Sequence, residues 1–326
     1  METTQHLLEV KNLKKYFPVK TKSLIPKTIG QLCAVDDVSF TLDKGQTMGV
    51  VGESGCGKTT LGKTILQLYR ATDGQVLFEG TDLTKLDDKQ LHDYRRRIQV
   101  IFQDPYSSLN PRMKVKDIIA EPLKIYNVCS GAELDRRVLE LMEMVGLSEW
   151  HASRYPNEFS GGQRQRVGIA RAIALNPSLI ICDEPVSALD VSIQSQILNL
   201  LNDIQKETGV SYLFIAHGLA TVKHISDFIG VMYLGKMLEI APKKELYSKP
   251  LHPYTQALMS AIPIPDPTVK VQRIKLTGEI PSPVNPGAGC RFMGRCPKCT
   301  EQCRQQAPEL KEITAGHFVA CHHLDD

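Results

Sequence analysis

The residue types best suited to chemistry lie in one short glycine-rich run, Gly52-Glu53-Ser54-Gly55-Cys56-Gly57-Lys58-Thr59. Its spacing is G-x-x-x-x-G-K-[ST], and Thr60 follows it. Glycines let the backbone wrap tightly, so that successive N–H groups converge on phosphate oxygens at the positive end of the next helix. In this arrangement Lys58 would reach the β- and γ-phosphates of a nucleotide, and Thr59 would offer its hydroxyl to Mg²⁺. The plain alternative is a glycine-rich turn with no ligand.

Two acids follow an apolar run, Leu179 to Cys182, at Asp183 and Glu184. A buried strand delivers carboxylates at its C-terminal end, where Asp183 is placed to hold Mg²⁺ directly or through water. Glu184 is the better candidate for a general base that orients or deprotonates an attacking water. Two acids after a strand are also common at a solvated strand end. Because this chain also contains the glycine-rich phosphate loop, a catalytic role is favoured.

A second glycine-containing turn, Ser160-Gly161-Gly162-Gln163, follows Phe159 and precedes a helix-compatible stretch that runs to Ala174. A turn of this kind at a helix start is a second place for an anion. Since one γ-phosphate needs only one such loop, the sequence raises the question of whose phosphate the second loop holds. Ser160 is also a good N-cap residue, and that structural role is compatible with anion binding.

The elements around these loops predict an α/β fold. The apolar run Thr47 to Val51 enters the phosphate loop, and a helix is expected over Lys58 to Tyr69. Further strands that alternate with helical stretches indicate a mostly parallel sheet of the P-loop NTPase type. These strands are expected at Ile98 to Phe102, Leu179 to Cys182, Tyr212 to Ala216 and Phe228 to Tyr233.

Other regions are expected outside that sheet. Antiparallel edge strands are predicted at Leu7 to Phe17 and Ala34 to Leu42, joined by a loop from Pro18 to Gln31, and a helical subdomain at about 87–174. After residue 249 the chain becomes rich in proline, which opposes long helices and central strands. The predicted organisation is a nucleotide-binding domain over 1–249, then a proline-rich linker (Pro263 to Pro286) and a small cysteine-rich tail within 250–326.

Composition narrows the function classes. At 326 residues, with 42% hydrophobic and 23% charged residues, the chain is long enough for a main domain and a smaller one. A net charge of only +3 disfavours a dedicated nucleic-acid binder. The first ten residues lack the pattern of a secretory signal, and no apolar run approaches the roughly 18 residues that span a membrane. Any membrane role is therefore expected to be peripheral, on the cytoplasmic face.

Together these motifs resemble the ATP-binding cassette family from about Leu7 to Leu246. The resemblance implies that Ser160 to Gln163, with Phe159, is the signature loop, which closes on ATP and Mg²⁺ held by the phosphate loop of a second, identical or homologous, ATPase subunit. It also implies that Ser187-Ala188-Leu189-Asp190 crosses the dimer interface.

Single residues are identified by the same resemblance. Gln103 is similar to the glutamine that links the Mg²⁺ site to the transmembrane partner, and His217 to the histidine that contacts the γ-phosphate. Tyr16 is the expected aromatic for stacking on adenine, with Phe17 as the alternative. The chain departs from the family at Gly218, where aspartate is common.

Three segments resemble the dipeptide and oligopeptide importer branch: Val100 to Arg112, His252 to Leu258 and Gly278 to Pro283. The branch implies two permease subunits and, indirectly, an extracytoplasmic substrate-binding protein. Some members carry nickel or other solutes, so the cargo stays open. The alternative from another class is a cassette ATPase that acts on nucleic acid or ribosomes, which would need a basic stripe or a second cassette.

Five of the nine cysteines lie in the tail, and clustered thiols in a short proline-rich segment suggest a metal that holds it folded. The resemblance implies a [4Fe–4S] cluster on Cys290, Cys296, Cys303 and Cys321, with Cys299 spare. Zn²⁺ is the alternative, because Cys296-x-x-Cys299 has a common zinc spacing and three histidines are near. Free or disulfide-bonded thiols are the third possibility. The other four cysteines, Cys33, Cys56, Cys129 and Cys182, are expected to be packing or loop residues.

Overall fold

The computed structural model describes residues 6–22, 26–263 and 273–324. The described chain divides into two compact units. The first unit contains the described parts of 1–42, 48–84 and 216–326, and the second contains 43–47 and 85–215. The phosphate loop and the cysteine-rich tail therefore belong to the same unit, whereas the two acids and the signature loop belong to the other.

The described strands and helices have the following bounds. The strands are β1 (Leu8–Lys20), β2 (Thr28–Leu42), β3 (Thr47–Val51), β4 (Asp73–Phe78), β5 (Thr81–Asp82), β6 (Ile98–Ile101), β7 (Leu179–Asp183), β8 (Ser211–Ala216), β9 (Phe228–Tyr233), β10 (Lys236–Pro242), β11 (Lys311–Thr314) and β12 (His317–Val319). The helices are α1 (Lys58–Ile65), α2 (Asp88–Arg97), α3 (Val115–Ile125), α4 (Gly131–Met144), α5 (Gly161–Ile173), α6 (Val191–Thr208), α7 (Leu219–Ile225), α8 (Lys243–Ser248), α9 (Pro253–Ser260) and α10 (Glu301–Gln305).

The first unit contains an antiparallel sheet in the order β2-β1-β4-β5, which confirms the predicted antiparallel strands. The predicted loop from Pro18 to Gln31 is wrong at its ends, because β1 and β2 stay paired as far as Lys20 and Thr28. Pro18 is tolerated there because β4 pairs with β1 only up to Lys14, which leaves one side of β1 without a ladder partner at the proline.

Parallel strands occur in each unit, as the sequence predicts. In the first unit β3 pairs with β9 in parallel. The neighbouring pairs β9–β10, β10–β12 and β12–β11 are antiparallel. In the second unit β6, β7 and β8 are parallel neighbours. Strands β3, β7 and β8 are buried along their whole length, which explains why they read as continuous apolar runs. Helix α1 ends at Ile65, four residues before the predicted end.

The second unit also contains helices α2 to α6, and α3 packs against α4 and α5. In the first unit, part of the proline-rich segment lies along the free edge of β2. Cys33 N donates to Pro283 O at 3.0 Å, and Asn285 N donates to Gln31 O at 2.9 Å. The rest of the predicted linker, at 264–272, lies outside the described residues. Among the helices that the structure describes, none has the length and hydropathy needed to cross a membrane.

Candidate functional site

The phosphate loop has backbone angles that only glycine adopts easily. The φ angles are +77° at Gly55 and +108° at Gly57, in the left-handed region that side chains disfavour. A Cβ on Gly57 would lie 2.0 Å from the carbonyl oxygen of Ala34, so any larger residue would collide with backbone. Gly57 is also the N-cap of α1 and has no side chain with which to cap the helix. The loop thus brings an uncapped helix N-terminus to the end of buried strand β3.

The side chain of Lys58 binds the backbone of the same loop. Its side chain is buried, and Nζ donates to the carbonyl oxygens of Gly52 at 2.8 Å and Glu53 at 3.1 Å. An ammonium group held at the loop backbone is a concentrated positive charge in a partly dry site, which suits a phosphate ligand. Thr59 and Thr60 follow in the first turn of α1 and are half-buried.

The two acids lie at the end of β7, as expected. Asp183 and Glu184 are buried, at 7% and 5% exposure. Glu184 has a φ of +49°, a conformation that costs a side-chain-bearing residue about 1–3 kcal/mol and that recurs at functional sites. Gln103 Nε2 donates to Glu184 Oε2 at 2.8 Å. This contact brings together two residues that the sequence placed in one site, and it leaves the amide oxygen of Gln103 for another partner.

The signature loop begins helix α5 with a reciprocal cap. The hydroxyl of Ser160 accepts from Gln163 N at 3.3 Å, and Gln163 Oε1 accepts from Ser160 N at 3.0 Å. Gly162 is buried against Ile193, whose Cγ2 would lie 2.5 Å from an added Cβ. The structural role proposed for Ser160 from sequence, that of an N-cap, is confirmed.

His217 is exposed and follows β8, immediately before Gly218, the N-cap of α7. A Cβ built on Gly218 meets nothing within 4 Å, and the φ of −116° suits any residue. The missing aspartate therefore leaves helix α7 without a side-chain cap but imposes no strain on the backbone.

Tyr16 and Phe17 make different contacts at neighbouring positions of β1. The hydroxyl of Tyr16 donates to Asp36, a carboxylate that also pairs with Lys236 and Arg291. Burial, reinforced by that hydrogen bond, raises the pKa of Tyr16. Phe17 packs edge-on to Tyr69, with ring centroids 5.4 Å apart. Tyr16 is half-buried and is fixed at its hydroxyl end by Asp36.

The tail cysteines are near one another. Burial, with smaller contributions from Cys303, Cys296 and Cys321, raises the pKa of Cys290 to about 11. The thiol sulfur of Cys303 nevertheless lies 3.6 Å from His323 Nε2, and Cys321 Sγ accepts from the backbone N–H of His323. In the parts of the chain that the structure describes, no three His, Cys, Asp or Glu side chains are grouped so that they could hold a metal ion. The iron–sulfur prediction therefore finds no support here.

The remaining cysteines behave as predicted for packing residues: Cys56 and Cys182 are buried, and Cys33 and Cys129 are half-buried. Sequence reasoning missed the contacts that Tyr254, Arg291 and Arg295 make with the phosphate loop and with Asp36. Tyr254 lies in the segment His252 to Leu258, which was used only for its resemblance to the dipeptide and oligopeptide importer branch. The two arginines stand between cysteines, and nothing in their spacing signals a partner more than 240 residues away.

Comparisons with known proteins agree with this geometry. Residues 35–187 match the model of the ABC transporter family, and residues 238–303 match that of the oligopeptide/dipeptide transporter C-terminal region. The chain is 54% identical over 319 residues to the oligopeptide transport ATP-binding protein AppF of Bacillus subtilis, covering 97% of each chain. It is 49% identical over 319 residues to the dipeptide transport ATP-binding protein DppF of Haemophilus influenzae, covering 98% of this chain and 97% of that one.

A similar solved structure is the dimeric post-hydrolysis state of the ATP-binding cassette MJ0796 bound to ADP and Pi. It superposes with a TM-score of 0.64 at 30% identity and covers 72% of this chain and 98% of the other. The predicted P-loop NTPase fold is confirmed by this likeness.

Proposed function

This chain belongs to the ABC transporter family of ATP-binding proteins, and we propose that it hydrolyses ATP to energise the import of dipeptides and oligopeptides. The observation that carries the proposal is a buried glutamate that accepts a hydrogen bond from Gln103 at the end of β7, in a chain with two glycine-containing loops at helix starts. Phosphoryl transfer needs positioning and charge neutralisation more than covalent chemistry, and these residues supply such groups. The names of the relatives favour peptides as cargo; nickel or another solute is the alternative.

The proposed roles follow from the chemistry of each group. Lys58 and the loop N–H groups bind the phosphates, and Glu184 orients the attacking water. Oxygen donors suit Mg²⁺, which Thr59, Asp183 and the amide oxygen of Gln103 would hold, and the ion would neutralise phosphate charge. Two contacts complete the site: His217 meets the γ-phosphate, and Tyr16 stacks on adenine.

The assembly that we propose has two ATPase subunits, either identical or homologous, with two ATP molecules between them. Each signature loop meets the nucleotide of the partner's phosphate loop, and the dimeric cassette similar in fold supports this arrangement. Closing and reopening of the dimer would drive two permease subunits, with the chain bound peripherally at the cytoplasmic face of the membrane. An extracytoplasmic binding protein would deliver the cargo.

The substitution Glu184→Gln tests the reaction. The amide side chain keeps an oxygen that can accept from Gln103 but lacks the basic carboxylate, so we expect MgATP binding to persist while turnover falls about 10³-fold. Dimers should accumulate in size-exclusion chromatography with ATP. Glu207→Gln, on the exposed face of α6, is the matched control and should hydrolyse ATP normally. Normal turnover in Glu184→Gln would contradict the proposal, and recovery of the chain with nucleic acid instead of membrane subunits would favour the other class of cassette ATPase.

A metal in the tail is a separate hypothesis. A [4Fe–4S] cluster on Cys290, Cys296, Cys303 and Cys321 rests on the family resemblance. Burial raises the pKa of the Cys290, Cys296 and Cys321 thiols, and a bound cation would favour their thiolate forms. Anaerobic purification followed by iron and zinc analysis decides it. About four iron atoms per chain with visible absorbance support the cluster, zinc alone supports the alternative ligand set, and neither metal refutes both.

A further inference from the structure

The C-terminal segment from Cys290 to Cys296 contacts the phosphate loop through Arg295. Arg295 Nη1 lies 2.8 Å from Glu53 Oε2, and the two side chains are 10% and 27% exposed. The same Nη1 donates to the hydroxyl of Tyr233 at 3.4 Å. Glu53 is the second residue of the phosphate loop, and Arg295 lies 242 residues further along the sequence.

Aromatic packing holds this arginine in place. Phe292, in the same segment, is fully buried and packs against Tyr233 and Tyr254 with ring centroids 5.4 Å from each. Tyr254 in turn accepts a hydrogen bond from Glu53 N at 3.1 Å. Glu53 is therefore held at its side chain by Arg295 and at its backbone by Tyr254.

The charge of Glu53 needs such a partner. A carboxylate on a loop that binds triphosphate repels its own ligand, and in a half-buried site this repulsion is screened less than at the surface. Arg295 neutralises that charge in a hydrogen-bonded pair, and the hydrogen bond that it donates to Glu53 is the main cause that raises the pKa of Arg295 further.

We propose that Arg295 is a positioning residue for ATP binding, which cancels the charge of Glu53 and thereby lets the C-terminal segment set the nucleotide affinity of the phosphate loop. The inference rests on ATP binding by that loop. It gives the tail a role in the ATPase reaction that requires no metal.

A double-mutant cycle in the full-length chain tests the proposal, with the dissociation constant of MgATP as the readout. Arg295→Ala leaves the loop one charge more negative, and we expect affinity about tenfold weaker. Glu53→Gln leaves an extra positive charge, and we expect affinity about threefold tighter. The double variant restores neutrality and should bind within about threefold of the unaltered chain. Turnover at saturating ATP should change less than the KM for ATP, because the pair acts on binding.

Two further measurements separate charge from structure. Raising the salt concentration should shrink the difference between Arg295→Ala and the unaltered chain, since screening weakens the repulsion. Arg304→Ala is the matched control: this arginine is in the same tail but is 64% exposed and pairs only loosely with Glu301, at 3.9 Å. Its removal should leave MgATP affinity unchanged and salt-independent relative to the unaltered chain.

Arg295→Met keeps much of the side-chain volume and serves if the alanine variant fails to fold. Arg295→Lys keeps the charge and should retain affinity within about threefold. The proposal is overturned if Arg295→Met binds MgATP as tightly as the unaltered chain, or if Glu53→Gln does not rescue the arginine variants. Absence of ATP binding by the unaltered chain would instead refute the function on which the proposal rests.

Discussion

Two helices begin at glycine-containing loops, and they begin differently. Helix α1 starts at Gly57, which has a φ of +108° and no side chain to cap the helix. Helix α5 starts at Ser160, whose hydroxyl accepts from Gln163 N at 3.3 Å while Gln163 Oε1 accepts from Ser160 N at 3.0 Å. The start of α1 has no side-chain cap, whereas the start of α5 is capped by two of its own side chains.

The difference lies in how far the side chains of each loop stabilise the helix start. The start of α1 lacks a side-chain cap and has the buried ammonium group of Lys58 bound to the loop carbonyl oxygens. The start of α5 is stabilised by its own reciprocal side-chain cap. Substitutions at the two helix starts should therefore affect different quantities.

The largest effect is expected from Lys58→Ala. This change removes the buried ammonium and the two bonds that hold the carbonyl oxygens of Gly52 and Glu53. We expect MgATP affinity to fall at least about 100-fold, measured by titration calorimetry. Lys63→Ala, later in α1, is the control, because Lys63 lies over the ring of Tyr69 and should not alter affinity. Unchanged affinity in Lys58→Ala would mean that the helix start alone binds the nucleotide.

The next effect comes from the same change made in both loops. A Cβ on Gly57 would lie 2.0 Å from the backbone oxygen of Ala34, whereas a Cβ on Gly161 would lie 3.2 Å from the flexible end of Leu189. We expect Gly57→Ala to lower the free energy of unfolding by about 2–4 kcal/mol and Gly161→Ala by less than about 1 kcal/mol. Thermal unfolding monitored by calorimetry measures both, and equal losses would remove the distinction in backbone geometry.

These two loops also show what a sequence can predict. The phosphate loop is evident from eight consecutive residues, because the geometry that glycine permits is local. The strands that deliver it and the acids are evident from continuous apolar runs, since burial on both faces leaves that pattern. The pairing of Gln103 with Glu184, 81 residues apart, is reached only through family resemblance. Sequence reasoning missed the ion pair of Arg295 with Glu53, because a long-range contact between two ordinary charges leaves no local signal.

A smaller effect is expected from Ser160→Ala. Loss of the hydroxyl that accepts from Gln163 N should cost about 1 kcal/mol of helix stability. If this loop serves a partner's nucleotide, affinity of the monomer for MgATP should stay the same while turnover by the dimer falls about tenfold. Equilibrium binding at low protein concentration and steady-state hydrolysis at high concentration separate the two. A loss of monomer affinity would mean that both loops act on the nucleotide of their own chain.

The smallest effect is expected at a third helix start, Gly218, which caps α7 without a side chain and without strain. Unlike Gly57, it has ordinary backbone angles, so a side chain can be added there at no steric cost. Gly218→Asp should raise the free energy of unfolding by a few tenths of a kcal/mol, because aspartate accepts from the first-turn N–H groups and favours the helix dipole. Gly218→Ala should lower it slightly, since alanine caps worse than glycine. If Gly218→Asp raises the free energy of unfolding and Gly218→Ala lowers it, the start of α7 gains stability from a side-chain cap. If both variants lower the free energy of unfolding, Gly218 is needed for its backbone conformation, as Gly57 is.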